Sequence, residues 1–100
     1  MRAVLVWDEA KRMSNLVKHG LDFADGGSVL ESPYRLDIRV IRGGEVRVQS
    51  LAYSLRRGAT LALVHVERDG LTRIISFRRA STVERRLYDE WLTKESGHDP

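Results

Sequence analysis

Apolar residues recur at two different periods along this chain, and the changes of period divide it into segments. Between residues 9 and 19 the apolar side chains Ala10, Met13, Leu16 and Val17 stand three and four apart, the spacing of one helical face. In the middle of the chain the spacing drops towards two. "RLDIRVI" (35–41), "EVRVQSLA" (45–52), "TLALVHVER" (60–68) and "TRIISFRR" (72–79) are rich in β-branched residues and bounded by Gly43-Gly44, Gly58 and Asp69-Gly70, so each predicts a strand. A period of four returns at Val83, Leu87 and Trp91, which predicts a C-terminal helix with that stripe in the core. "VLVW" (4–7) predicts a short leading strand.

The polar punctuation agrees with these boundaries. Asp8 stands where an N-cap belongs, with Glu9 in the first turn where the helix dipole favours an acid. Gly20 stands where a left-handed residue closes a helix. A second, shorter helix is expected after Asp22, running towards Leu30; Gly26 and Gly27 weaken it and Pro33 lies beyond it. "STVE" is a capping box, Ser81 as N-cap and Glu84 at the third helical position. Asp69-Gly70 predicts a type I′ hairpin turn, which sets Arg68 opposite Leu71, Val66 opposite Arg73, Val64 opposite Ile75 and Ala62 opposite Phe77. That register puts Ala62, Val64, Val66, Ile75 and Phe77 on one apolar face. The element order β-α-α-β-β-β-β-α then predicts an α+β fold: an antiparallel four-stranded sheet, with the N-terminal helices and the C-terminal helix packed on that one face. The first strand adds at an edge, and the face carrying His65, Glu67 and Arg78 stays open. One domain is expected over residues 1–100, its tail from about 94 frayed.

Composition narrows the class. The chain has 100 residues, 42% hydrophobic and 31% charged, a globular balance. It has no cysteine, which excludes disulfides and thiolate metal sites. No apolar run approaches the ~18 residues of a membrane span, and "MRAVLVWDEA" meets acids too early for a secretory signal. A cytoplasmic protein is expected. Seventeen Lys and Arg against 14 Asp and Glu give a net charge of +3, and only Lys11, Lys18 and Lys94 are lysines. The planar arginine fork suits bidentate contact with phosphate, so the charge points to a polyanionic partner.

Candidate chemistry is spread along the chain. There is no nucleotide loop, nucleophile elbow or metal spacing; His19, His65 and His98 are unrelated in position, so no metal and no cofactor are expected. Lys11, Asn15 and Lys18 form a polar stripe on the first helix, either a solvated face or a binding one. His65 and Glu67 alternate on a central strand with Arg78 on its neighbour, which reads as surface ion pairing or as a site. Arg79 points to the other face or caps the helix side. Tyr88 is a packing residue or a phenol donor.

The order of these blocks resembles the BrnT family of bacterial toxins. "VWDEAKRMSNLVKHGLDFAD" supplies Trp7, Asp8, Lys11, Asn15, Lys18, His19, Gly20 and Phe23 at the matching positions. "EVR" (45–47), Gly58, Glu67 and Arg68 of "HVER", "RIISFRRAS", and Glu84, Arg85 and Tyr88 of "ERRLYDE" follow in order, so the resemblance spans about residues 5 to 90. The chain departs from the family at "IRGG" and "SLAYS". The resemblance implies a RelE-like fold and a metal-independent ribonuclease that arrests growth. It also implies a cognate antitoxin, with a ribbon-helix-helix DNA-binding domain, through which the pair represses its operon. On that basis Lys18, His19, Glu67, Arg78 and Tyr88 are the catalytic candidates. Lys11, Asn15, Arg68, Arg79 and Arg85 are the RNA-binding ones. A non-catalytic module of the same fold, binding nucleic acid or antitoxin, is the alternative.

Overall fold

The computed structural model of the protein describes residues 3–95. Strand β1 (Val4–Val6) leads into helix α1 (Glu9–His19), a 3-10 turn (Phe23–Asp25) and the short helix α2 (Gly27–Leu30). Strands β2 (Leu36–Arg42), β3 (Glu45–Ser54), β4 (Ala59–Arg68) and β5 (Leu71–Arg79) follow, then helix α3 (Thr82–Glu95). The expected second helix is therefore divided between the 3-10 turn and α2. The expected frayed tail includes Lys94 and Glu95, which lie in α3; its residues 96–100 lie outside the described part.

The expected caps are formed. Asp8 accepts from the Lys11 N–H, and Gly20, at φ 70°, donates its own N–H to the Leu16 carbonyl. Ser81 and Glu84 exchange side-chain-to-backbone bonds of 3.2 and 2.8 Å. Asp69 and Gly70 take φ 51° and 77°, the paired positive values that a type I′ turn requires.

The sheet is mixed and five-stranded, in the order β1-β5-β4-β3-β2. Strands β2 to β5 are antiparallel neighbours, and β1 adds in parallel at the β5 edge, Val4 to Val6 against Leu71 to Arg73. This corrects the expected four-stranded antiparallel sheet. The hairpin register also needs correction. Arg68 pairs with Leu71 and Val66 with Arg73 as expected, but the ladder shifts between Val64 and His65. His65 pairs with Ile74 and Val64 with Ser76, so Ile75 is passed over; beyond it Leu63 meets Phe77 and Ala62 meets Arg78. One inserted residue moves every later β5 side chain relative to its partner strand.

The two faces carry different helices. Leu61, Leu63, Ile74, Phe77 and Ala52 cluster with Leu21, Phe23 and Val29, so the N-terminal elements cover that face. Leu51 and Ala62, on the opposite face by strand alternation, cluster with Tyr88 of α3 and with Leu36, Ile38 and Trp91. The helices thus occupy both faces, where one was expected.

Both long helices bury a different stripe from the one their apolar spacing predicts. In α1 Asn15 is buried, while Met13 is exposed and Val17 is 86% exposed. The Asn15 side-chain NH2 donates to the carbonyls of Phe77 (2.8 Å) and Leu21 (3.0 Å), and its Oδ1 accepts from the Phe77 N–H (3.1 Å). β1 stops at Arg73, so Phe77 lies on bare sheet edge, and Asn15 bonds both of its main-chain groups as a neighbouring strand would. In α3 Tyr88 is 2% exposed while Val83 and Leu87 face solvent. The Tyr88 phenol donates to the Tyr34 carbonyl (2.7 Å) and accepts from the Tyr53 N–H (3.3 Å), which turns that side of α3 onto the sheet.

Candidate nucleic-acid interface

Arg78 lies where β5, α1 and α3 approach one another. Its Nη1 donates to Glu84 Oε1 at 2.7 Å and its Nη2 to Glu84 Oε2 at 3.0 Å. This fork joins the end of β5 to the first turn of α3. It holds the Glu84 carboxyl down to about 2, well below its ordinary 4.5, with the Ser81 N–H adding to the effect. The Arg78 guanidinium is correspondingly raised.

His19 closes α1 on the same side. Its imidazole is lowered from the ordinary 6.5, first by partial burial and then by the positive charges of Lys18 and Arg78. Asn15, one helical turn before His19, is bonded to Phe77, the neighbour of Arg78, so the end of α1 lies close to Arg78. Lys18 itself is exposed at the end of α1, where the helix dipole favours a cation. A ring kept neutral near pH 7 beside two fixed cations is suited to accept a proton close to a bound phosphate.

The α3 face continues past these residues as an arginine-bearing sheet surface. Arg73 pairs with Val66, and Arg47 pairs with Val40, one residue before the Val48–His65 pair. Strand alternation puts Arg47, Val66, Arg73, Ser76 and Arg78 on this face. Val66 is buried yet belongs to neither apolar cluster. The ladder sets the stems of Arg47 and Arg73 on either side of it. The Arg47 Nε is buried without a hydrogen-bond partner among the described residues. A desolvated donor left without a partner is costly.

The remaining candidates divide by place. Glu67 lies on the opposite face, in a polar chain that crosses four strands. Ser50 Oγ donates to Asp37 Oδ1 (2.7 Å) and meets His65 Nε2 (2.8 Å); His65 Nδ1 meets Glu67 Oε2 (2.9 Å), and Thr72 Oγ1 donates to Glu67 Oε1 (2.9 Å). His65 and Ser50 are buried, and the chain forms part of a groove lined by Leu5, Leu30, Arg39 and Val48. Asn15 and Tyr88 are occupied by the fold contacts described above, so Asn15 is buried and does not share the exposed stripe with Lys11 and Lys18, whether that stripe is solvated or binding. Lys11, Arg68, Arg79 and Arg85 are exposed, Arg68 in an ion pair with Glu45. The structure therefore brings Lys18, His19 and Arg78 together and leaves Glu67 apart.

Sequence reasoning missed Arg47, Arg73 and Glu84 as site residues. Arg47 was visible only as part of "EVR". Arg73 lies on the hairpin side of the bulge, where its pairing with Val66 is the expected one, but nothing in its sequence neighbourhood distinguishes it from other surface arginines. Glu84 was legible as a cap and not as the partner of Arg78.

Among the described residues no group of three or more His, Cys, Asp or Glu stands together as metal ligands, and no helix is long and apolar enough to cross a membrane. These features define a small α+β protein with a basic, partly open sheet face and a histidine at its rim. The chain belongs to the BrnT family: residues 7–84 match the model of the ribonuclease toxin, BrnT, of type II toxin–antitoxin systems. No curated protein matches the chain. Family membership gives it an RNA substrate and an antitoxin partner.

Proposed function

We propose that this toxin is a metal-independent endoribonuclease of RelE-like fold, acting in the cytoplasm, whose RNA substrate lies across the α3 face. The observation that carries the proposal is the pair of bonds from Asn15 to Phe77, which brings the end of α1, with Lys18 and His19, up to Arg78 on β5. RNA is cut without a metal when its 2′-hydroxyl attacks the adjacent phosphorus to form a 2′,3′-cyclic phosphate and the 5′-oxygen departs, taking a proton from solvent water. The step needs a base at the hydroxyl and fixed cations at the phosphate oxygens. His19, kept neutral by its surroundings, takes the 2′-hydroxyl proton. Arg78 holds the non-bridging oxygens, with Lys18 beside it. Arg47 and Arg73 hold neighbouring phosphates along the sheet, and Lys11, Arg68, Arg79 and Arg85 extend the basic surface. Tyr88 and Glu67, engaged elsewhere, support the fold in this scheme.

A cognate antitoxin, a ribbon-helix-helix DNA-binding protein, neutralises the toxin in this proposal, and the pair reaches operator DNA through the antitoxin. One observation favours a second reading, a non-catalytic module of the same fold. Glu84, the carboxylate bonded to Arg78, stays ionised and offers no proton to the leaving oxygen. Incubating purified, antitoxin-free protein with RNA in EDTA separates the two. Discrete fragments support the nuclease, and intact RNA that remains bound supports the module.

A further inference from the structure

Glu84 has two sets of partners, and only one of them belongs to its helix. In the capping box its Oε1 accepts from the Ser81 N–H at 2.8 Å, while its own N–H donates to Ser81 Oγ at 3.2 Å. Either glutamate or glutamine serves that role. The second set is the Arg78 fork at 2.7 and 3.0 Å, which a helix cap does not need.

The geometry of that fork determines what Arg78 has left to offer. A guanidinium carries five N–H groups in a fixed plane. Glu84 takes the end of the plane, one hydrogen from Nη1 and one from Nη2; the other Nη1 hydrogen is directed to the Arg79 carbonyl at 3.3 Å. The Nε–H and the second Nη2–H remain. They lie side by side on one edge, and among the described residues no hydrogen bond occupies them. Two parallel donors at that spacing match two oxygens of a phosphodiester. Glu84 is itself fixed, its side chain 13% exposed and tied to both strand and helix, so it orients the plane of Arg78.

We propose that Glu84 is a positioning residue of the nuclease site, holding the end of Arg78 so that its Nε–Nη2 edge faces the scissile phosphodiester. The inference rests on the reading of Arg78 as a phosphate ligand. Glu84 touches no substrate and acts through Arg78 alone.

The test compares wild type, Glu84→Gln, Ser81→Ala, Arg78→Ala and the Arg78→Ala/Glu84→Gln double variant. Cleavage of RNA in EDTA, affinity for an uncleavable 2′-O-methyl RNA, and thermal midpoint are measured for each. Glutamine keeps the acceptor for the Ser81 N–H but replaces one fork oxygen with an NH2 that opposes Arg78. The expected result for Glu84→Gln is a loss in kcat/KM of about tenfold or more, with a weaker affinity for the uncleavable RNA. Ser81→Ala lowers the thermal midpoint and leaves kcat/KM within about twofold. The double variant is no worse than Arg78→Ala, because Glu84 has nothing to position once Arg78 is gone. Wild-type cleavage and binding by Glu84→Gln would overturn the proposal and leave a cap. Losses that multiply in the double variant would show Glu84 acting independently of Arg78 and overturn it too. Wild-type RNA binding and cleavage by Arg78→Ala would instead remove the phosphate ligand on which the proposal rests. If the wild type binds RNA without cutting it, the affinity series alone decides.

Discussion

His19 is the residue whose chemistry depends most on its neighbours. Burial and the charges of Lys18 and Arg78 lower its imidazole from 6.5, so the proton-accepting form is present below neutral pH. If His19 is the base, the rising limb of the cleavage–pH profile has its midpoint below 6.5. Lys18→Ala moves that midpoint upward, since removing a neighbouring positive charge makes the ring easier to protonate. His19→Gln lowers cleavage by roughly 10²-fold or more with an unchanged circular dichroism spectrum. Rates for Lys18→Ala and His19→Gln across pH, set against wild type, check both statements. Tyr88 gives the opposite expectation. Its phenol is bonded to Tyr34 and Tyr53, so Tyr88→Phe costs about 1 kcal/mol in urea unfolding, the net worth of part-buried hydrogen bonds whose main-chain partners water can reach, while cleavage persists. A large loss of rate at unchanged stability would return Tyr88 to the active site.

The elements show how far a pattern of apolar spacing reaches and where it stops. It locates α1, α3 and the four long strands to within a few residues, because caps, hairpin turn and periodicity agree. It does not say which side of a helix meets the sheet. The Met13–Val17 stripe loses to Asn15 because the edge of β5 has main-chain groups to satisfy, and a carboxamide does this while a methionine cannot. The Val83–Leu87 stripe loses to Tyr88 for a related reason, since its hydroxyl reaches main-chain groups of β3 and of the segment before β2. The one-residue shift at Ile75 has no signal in sequence, yet it decides that Arg78 shares a face with α3 while Glu67 does not. Ser50 and Asp37, members of the His65 chain, were invisible for another reason: only the pairing of β2, β3 and β4 brings them beside His65. Asn15→Ala is expected to cost about 3 kcal/mol, since it leaves the Phe77 N–H and carbonyl without partners at a buried edge. Denaturant unfolding measures it, and a loss below about 0.5 kcal/mol, the usual effect at a plain surface site, would mean that the edge does not need the amide. The α3 cap has a pH signature. The folded-state value of Glu84 is depressed to about 2 from 4.5, so the stabilisation by the Arg78 pair is fully present above 4.5 and is lost as pH falls towards 2. The thermal midpoint of wild type should therefore fall more steeply than that of Glu84→Gln over that interval.

Considered whole, the molecule has two unlike sheet faces. The N-terminal elements cover one, which holds most of the apolar core and the buried His65 chain. The other is covered only in part by α3, and it carries Arg47, Arg73 and Arg78 with Lys18 and His19 at the rim. An extended polyanion lying there would meet separated cations, so affinity for RNA should fall steeply with salt, and each arginine removed should reduce that slope. The order of blocks along the chain made the family legible, because Trp-Asp, Lys-His-Gly and the closing arginine-rich run come in a fixed sequence. The facing of the site was not legible, because it depends on a single inserted residue. The most direct test is gel analysis of RNA incubated in EDTA with the antitoxin-free wild type and with folded Arg78→Ala, Lys18→Ala and His19→Gln variants. Fragmentation by wild type, reduced in all three variants and in no Glu67→Gln control, is the predicted result. Undiminished cutting by the three variants, or its loss in Glu67→Gln alone, would place the chemistry on the other face and contradict the assignment.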